Sequence, residues 1–482
     1  MTITHKFASE VSTIARSDSV AGESYEFIRM KQDWELPEAL LGGTKEMRKK
    51  GKKYLPQNPQ EEDVLYQNRL NRTFLYNAYK RSVTTLASQP FIKPVQVSNV
   101  PSELEYLEHD ADGTGRSLTE IAHDMLFRQL HYGLAHNLVD NPRVEGPISI
   151  ADAGRLNIRP YFNPIDPTEM HYFQGKRIGG IDHIEEIRFR EVTLERVEGS
   201  WLEDYVHRVR VITPDSYETY ILSHQVKESF EIEHSSDNPL GYVPLVTAYG
   251  NRTGFLTAAS PLEDLAWLNL RHWQTTSEQN NILHVVRVPI LMFKGVENEK
   301  LEGVAIGGNM GINFSSVNAD GKFIEHTGNA VEAGRTDRKD LENQMHEMGA
   351  DLLVTKSVAR QTATARKIDQ SQSLSPLQQM IRNLETTLQR SYMIAGEWLD
   401  IDASDVEVHI GDDLSVPVLD DSTNKELRTL RDEGSIDQRE FIMEHRRRGT
   451  ISATVGNEEA RINQTTEVEI EDETLEVDEP TE

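Results

Sequence analysis

The side chains in this sequence that could do chemistry fall short of a working set wherever they cluster. His131 and His136 lie close together. A zinc site needs three or four protein ligands, and no third is in view. His346-Glu347 has the start of a zinc-hydrolase helix motif, but Ala350 stands where the second histidine belongs. A surface pair on a helix is the plainer reading. The glycines from Gly307 to Gly311 lack the lysine and following helix of a phosphate loop, so a turn-rich β module is expected there. No Gly-x-Ser-x-Gly elbow occurs. With 79 Asp and Glu, carboxylate pairs arise by chance. No catalytic residue, metal ligand or cofactor is assigned, and the chain is expected not to be an enzyme.

One polar segment stands out. Residues 355–373 contain almost no large apolar side chain and carry Lys356, Arg360, Arg366 and Lys367 among Ser, Thr, Ala and Gln. Lys356 and Arg360, four apart, share a face if that part is helical. Such a segment has no core to pack into, and a solvated connector is one reading of it.

The elements around these residues can be placed. The first sixty residues are polar and mixed, with Lys49, Lys50, Lys52 and Lys53 expected in a solvated loop. A helical pattern spans about 62–88, with Leu65, Phe74, Leu75, Ala78, Val83 and Leu86 as core candidates. Pro90 and Pro94 end it. Ser117 and Glu120 form a capping box ahead of Leu118, Ile121, Ala122, Met125, Leu126 and Leu130, with Gly133 near the helix end. From about 157 to 249, short β-prone runs separated by Gly and Pro turns predict an antiparallel β region.

Helices then return. Ser260-Pro261-Leu262-Glu263 is a helix start whose apolar stripe gives way, after Trp273, to the polar run 274–281. That helix is expected to be packed at one end and wet at the other. A turn-rich strand module fills 285–328, and a helix over 332–353 places Leu341, Met345, Met348 and Leu352 on one face. Ser375-Pro376-Leu377-Gln378 opens another capped helix running to Trp398, and a strand is expected over 406–410. Two last helices are expected over 424–433 and 435–448, each stopped by a glycine. The acidic tail, 465–482, is expected to lack fixed structure.

Composition bounds the classes. The chain has 482 residues, 37% hydrophobic and 27% charged, as in folded soluble domains. No apolar run approaches the roughly 18 residues of a membrane span, so no membrane partner is expected. The first sixteen residues lack the apolar centre of a signal peptide. The absence of cysteine rules out disulfides and thiol catalysis, and suits a reducing cytoplasm. A net charge of −28 argues against a tight, whole-surface grip on nucleic acid. Solubility explains it most simply. A surface past which DNA slides without sticking is the sharper alternative.

The order of parts resembles the portal proteins of tailed bacteriophages: a mixed N-terminal region, a long helix, a compact β-rich insertion, a returning helix, a basic loop, another long helix, a strand and a helical C-terminus. Several stretches are similar to one portal family long known only as a phage domain of unknown function. They are Tyr54-Leu55-Pro56, 76–94 ending in Lys93-Pro94, Gly115-x-Ser117-Leu118, Asn137-Leu138-Val139-Asp140, Arg159-Pro160-Tyr161, Pro239-Leu240-Gly241 before Val243-Pro244, and 265–272. Their order along the chain, from about Tyr54 to Ile462, carries the likeness; singly each is weak.

The resemblance implies an α+β portal fold. Its parts are an N-terminal region and wing (1–259), a first stem helix (260–284), a clip (285–330) and a second stem helix (331–353). A channel loop (354–374), a wing helix and strand (375–420), crown helices (421–464) and the acidic tail (465–482) complete it. It implies a homo-oligomeric ring, expected to be a dodecamer, at the capsid vertex of a virion assembled in the host cytoplasm. Double-stranded DNA is packaged and ejected through that ring. Its other implied partners are the terminase large subunit, the major capsid protein and a head–tail adaptor or tail proteins. Lys356, Arg360, Arg366 and Lys367 would then face DNA, each contact weak and salt-sensitive. Two other classes compete: a head–tail adaptor or other virion structural protein, usually a much shorter chain, and a metal-dependent hydrolase or nuclease.

Overall fold

The computed structural model describes residues 19–142, 158–196, 200–223, 229–286, 290–294, 320–324, 329–353 and 375–411. The chain divides into two units, 1–412 and 413–482, and the second lies outside the described residues. The expected helices over 424–433 and 435–448, the acidic tail and the glycines Gly307 to Gly311 therefore lie outside them too.

The N-terminal sixty residues depart from expectation, because they are helical. Helix α1 (Tyr25–Leu41) is capped by Ser24, whose hydroxyl accepts from Phe27 N at 3.3 Å. It buries Phe27, Met30 and Trp34 in the main core, and Trp34 Nε1 donates to Tyr132 O at 3.0 Å. Helix α2 (Gly43–Lys50) and a 3₁₀ turn (Gly51–Lys53) follow. The lysine cluster expected in a loop sits on this helix end instead, where cations favour the C-terminal dipole. Lys50 and Lys53 pair with Glu35, and Lys52 with Asp63.

The single helix expected over 62–88 is two, α3 (Asp63–Arg72) and α4 (Ala78–Ser88). The break at 73–77 is stabilised from outside the segment. Arg48 donates to Thr73 O, Thr44 Oγ1 accepts from Leu75 N, and Asn77 both caps α4 and donates to Leu40 O. The change of phase leaves Leu65 and Phe74 exposed, whereas Leu75, Ala78, Val83 and Leu86 are buried as expected.

Helix α5 (Leu118–Tyr132) has the expected capping box and ends at Gly133, whose φ of 87° allows the left-handed cap. A Cβ there would sit 2.3 Å from Ala259 O, so glycine is required twice over. Strand β2 (Leu134–Asp140) is buried at every position. It lies between β3 (Tyr161–Ile165) and β9 (Leu245–Tyr249) in an antiparallel sheet of three. Both its faces are covered. Leu134 and Leu138 join the core shared with α1, while Asn137 on the other face donates to Ser391 Oγ at 2.9 Å.

The expected β region also supplies a five-stranded antiparallel meander. Its strands are β4 (Tyr172–Ile178), β5 (Ile181–Arg196), β6 (Glu203–Ile212), β7 (Ser216–Ser223) and β8 (Ser229–Asp237). Ile187, Phe189, Ile212 and Tyr217 anchor it in the core. Arg210 ties it to β2 by bonding Asp140 at 2.5 Å. Strand β1 (Gln96–Ser98) pairs with a strand at the far end of the described chain, Glu407–His409. The hairpin β10 (Asn251–Gly254) and β11 (Thr257–Ala259) leads into the next helix.

Candidate functional site: an antiparallel helix pair and the segment it leads to

Helix α6 (Glu263–Val286) and helix α7 (Asn329–Asp351) flank two strands, β12 (Ile290–Lys294) and β13 (Asp320–Ile324), which pair antiparallel from Ile290↔Ile324 to Lys294↔Asp320. The helix contacts fix their sense. Gln279 Nε2 donates to Val331 O at 3.0 Å, Arg271 meets Asp337 at 3.5 Å, and His272 Nε2 lies 3.3 Å from Glu342. As the α6 number falls the α7 number rises, so the helices run antiparallel. Gly334 allows the close approach near Gln279: a Cβ there would lie 1.9 Å from the amide oxygen.

Helix α6 reverses one expectation. Its polar stretch is largely buried: Thr276, Ser277 and Gln279 are shielded, and each meets a partner on a neighbouring element or its own helix. Arg69 on α3 reaches Ser277, and Gln274 donates to Tyr54 O. Further back, buried Asn269 accepts from Tyr79 N and donates to Tyr76 O, both at 2.9 Å. Trp273 is completely buried. The start of α6 is also looser than a capping box. Ser260 accepts from Leu262 N and donates to Leu130 O, and α6 begins only at Glu263.

On α7, Leu341 and Met345 are buried as their spacing predicts, while Met348 and Leu352 are only half-buried. Helix α8 (Pro376–Leu399) follows with the expected box, Ser375 accepting from Gln378 N while Gln378 accepts from Ser375 N. It packs Met380, Ile381, Leu384 and Leu388 in the interior, and Trp398 Nε1 donates to Val139 O at 3.0 Å. The end of α7 and the start of α8 are joined directly, since Leu377 N donates to Leu352 O at 3.2 Å. The segment between them therefore leaves and returns at one point. Its cations, Lys356, Arg360, Arg366 and Lys367, lie outside the described residues.

The histidines singled out by sequence have separate structural duties. His131 Nδ1 is 2.9 Å from Tyr79 Oη, and burial pushes its pKa down to about 4. His136 Nδ1 is 2.9 Å from Thr247 Oγ1, and burial, with Arg128 adding to it, pushes its pKa down to about 3. Both are neutral imidazoles at pH 7. His346 and Glu347 are exposed on α7, with His346 Nε2 3.4 Å from Tyr76 Oη. Among the described residues no group of three His, Cys, Asp or Glu is placed to hold a metal ion. No described helix is long and apolar enough to cross a membrane.

Sequence reasoning passed over Arg69, Asn269, Gln279 and Gly334. Their only signal is a polar or glycine residue inside a helical pattern, which local context cannot tell from an exposed one.

Residues 261–399, from the approach to α6 to the end of α8, match a family model described as a domain of unknown function, DUF4055. No curated protein matches the chain. Among solved structures, the chain is similar to one from the virion of a native gene transfer agent particle. The two share 13% identity at a TM-score of 0.41, over 77% of this chain and 89% of that one. It is also similar to one from the neck of the native particle, computed with C12 symmetry, at 12% identity and a TM-score of 0.40, over 76% and 88%.

Proposed function

We propose that the chain is a portal subunit of a tailed phage or phage-like particle: one member of a ring through which double-stranded DNA enters and leaves a capsid. The observation that carries this reading is the antiparallel pair α6–α7. It holds an antiparallel strand pair at one end and, at the other, a segment pinned at its base by Leu377 N and Leu352 O. A stem of two helices, a clip at its tip and a loop directed at a channel have this connectivity. The sequence resemblance assigns α6 and α7 to the stem, 285–330 to the clip and 354–374 to the channel loop.

In this reading the work is mechanical. The buried polar contacts of α6 hold it rigidly against α3, α4 and α7. Lys356, Arg360, Arg366 and Lys367 offer passing phosphates shallow, salt-screened contacts. The net charge of −28 keeps the remaining surface from gripping the duplex. Capsid protein, terminase and adaptor or tail proteins are the implied partners.

Native mass spectrometry and negative-stain imaging of the purified chain test the proposal. A closed flanged ring with an open axial channel is expected. A stable monomer or dimer across salt conditions would overturn it, and so would a ring whose four loop cations lie on its outer surface.

A further inference from the structure

The outer half of the five-stranded sheet has two unlike faces. On one, Arg208 bridges Glu195 and Glu233, and Arg210 bridges Glu191 and Asp140, so the charges are matched. The other face is apolar and open. Register places Leu194 opposite Tyr205, Tyr220 opposite Ile232, and Leu222 opposite Phe230. Val192, Leu194, Tyr205 and Ile232 on this face are between 49% and 62% exposed. A run of such residues on neighbouring strands is larger than the scattered apolar contacts of an ordinary surface, and marks a site that something covers.

The chain itself leads to this face. An apolar groove of about 200 Å³ is lined by Val192, Val209, Leu222 and Phe230, and at its edge by Ala21. Just beyond, Glu23 bonds Arg190 of β5 at 3.0 Å, fixing the arriving backbone beside the sheet. Residues 1–18 precede this point and lie outside the described residues. Their sequence carries Ile3, Phe7, Val11 and Ile14 at helical spacing, with Lys6, Ser9, Glu10, Thr13 and Arg16 between.

We infer that residues 3–14 form an amphipathic helix laid across the open apolar face of the same chain's β5–β8 sheet. The dimensions agree. Twelve helical residues span about 18 Å, and crossing four strands covers three spacings, about 14 Å. Only Asp18, Ser19 and Val20 are needed to bring the stripe from Ala21 onto the groove, so the short tether favours the segment's own sheet over that of another copy.

The chain has no cysteine, which makes thiol cross-linking clean. In the full chain, Phe7→Cys is paired with Leu222→Cys on the apolar face and, as control, with Glu195→Cys on the charged face. A short bismaleimide should join Phe7→Cys to Leu222→Cys within one chain, and leave the control pair largely unjoined. Equal cross-linking of both pairs, none in either, or a product joining two chains would overturn the inference. A second readout replaces Ile3, Phe7, Val11 and Ile14 by Ser. Binding of a hydrophobic fluorescent dye should rise several-fold with the circular dichroism of the body unchanged; unaltered dye binding would also overturn it. Neither readout depends on ring formation.

Discussion

Replacing Arg69 by methionine measures how firmly α6 is tied to the helices before it. The guanidinium donates to both Glu61 oxygens at 2.7 Å, to Pro56 O at 2.8 Å and to Ser277 Oγ at 3.3 Å. Its side chain and that of Glu61 are only 6% and 10% exposed. Methionine keeps most of the volume but removes every donor. The Glu61 carboxylate then retains one backbone donor, Asn58 N at 3.1 Å. Breaking such a pair from one side costs about 3–5 kcal/mol, because the remaining charge is buried without compensation. At roughly 2–4 °C per kcal/mol for domains of 150–250 residues, and less for a larger unit, the melting midpoint should fall on the order of 10 °C. Adding Glu61→Gln removes the stranded charge and should restore more than half of the loss. Urea and thermal unfolding, followed by circular dichroism in the parent, the single and the double variant, provide the measurement. A single-variant loss below about 1 kcal/mol, the range of an exposed pair, would refute the reasoning. A double variant no more stable than Arg69→Met would refute it as well.

Three other outcomes are expected. Gly334→Val should destabilise the helix pair by about 1–3 kcal/mol through overpacking; in the Gln279→Ala background the loss should shrink, and strict additivity of the two changes in urea melts would count against the contact. Because burial depresses the pKa of His136 in the folded chain, its contribution is full above the unfolded value near 6.5 and declines as pH falls below it, by about 1.4 kcal/mol per pH unit. His136→Gln should therefore flatten the fall in urea midpoint between about pH 6.5 and pH 4.5, and an unchanged slope would show that the imidazole is not buried neutral. Replacing Lys356, Arg360, Arg366 and Lys367 together by Gln should leave assembly intact and lower the DNA packaged or retained; particles with a full DNA complement would remove these cations from the channel.

Much of the local structure was legible because its causes are local. The boxes at Ser117/Glu120 and Ser375/Gln378 need only neighbouring residues, and both formed. The meander was visible through short β-prone runs broken by Gly and Pro turns. Misreadings arose where distant groups decide the outcome. The break at 73–77 depends on Thr44, Arg48 and Leu40, supplied by earlier helices. The polar run after Trp273 reads as wet because its partners, Arg69, Tyr54 and Val331, are remote in sequence. Helix α1 was hidden by Pro37 within it and by a weak apolar stripe, although Phe27, Met30 and Trp34 are buried in the core. The helix–strands–helix order of the candidate site was readable in outline. The close approach at Gly334 was not, since a glycine in a helical pattern looks the same whether exposed or in contact.

The hydrogen bond from Leu377 N to Leu352 O has a consequence for how such a chain can change over generations. With the two ends of 354–374 held together by the body, the entropy of closing that excursion depends only weakly on its length. Doubling the number of residues adds only about 0.6 kcal/mol. Insertions, deletions and exchanges of charge there are thus nearly neutral for folding, while each alters what the segment offers to a partner. The body can stay fixed in sequence and geometry as this stretch diverges, so lineages with different genomes to accommodate can vary the insert without redesigning the frame.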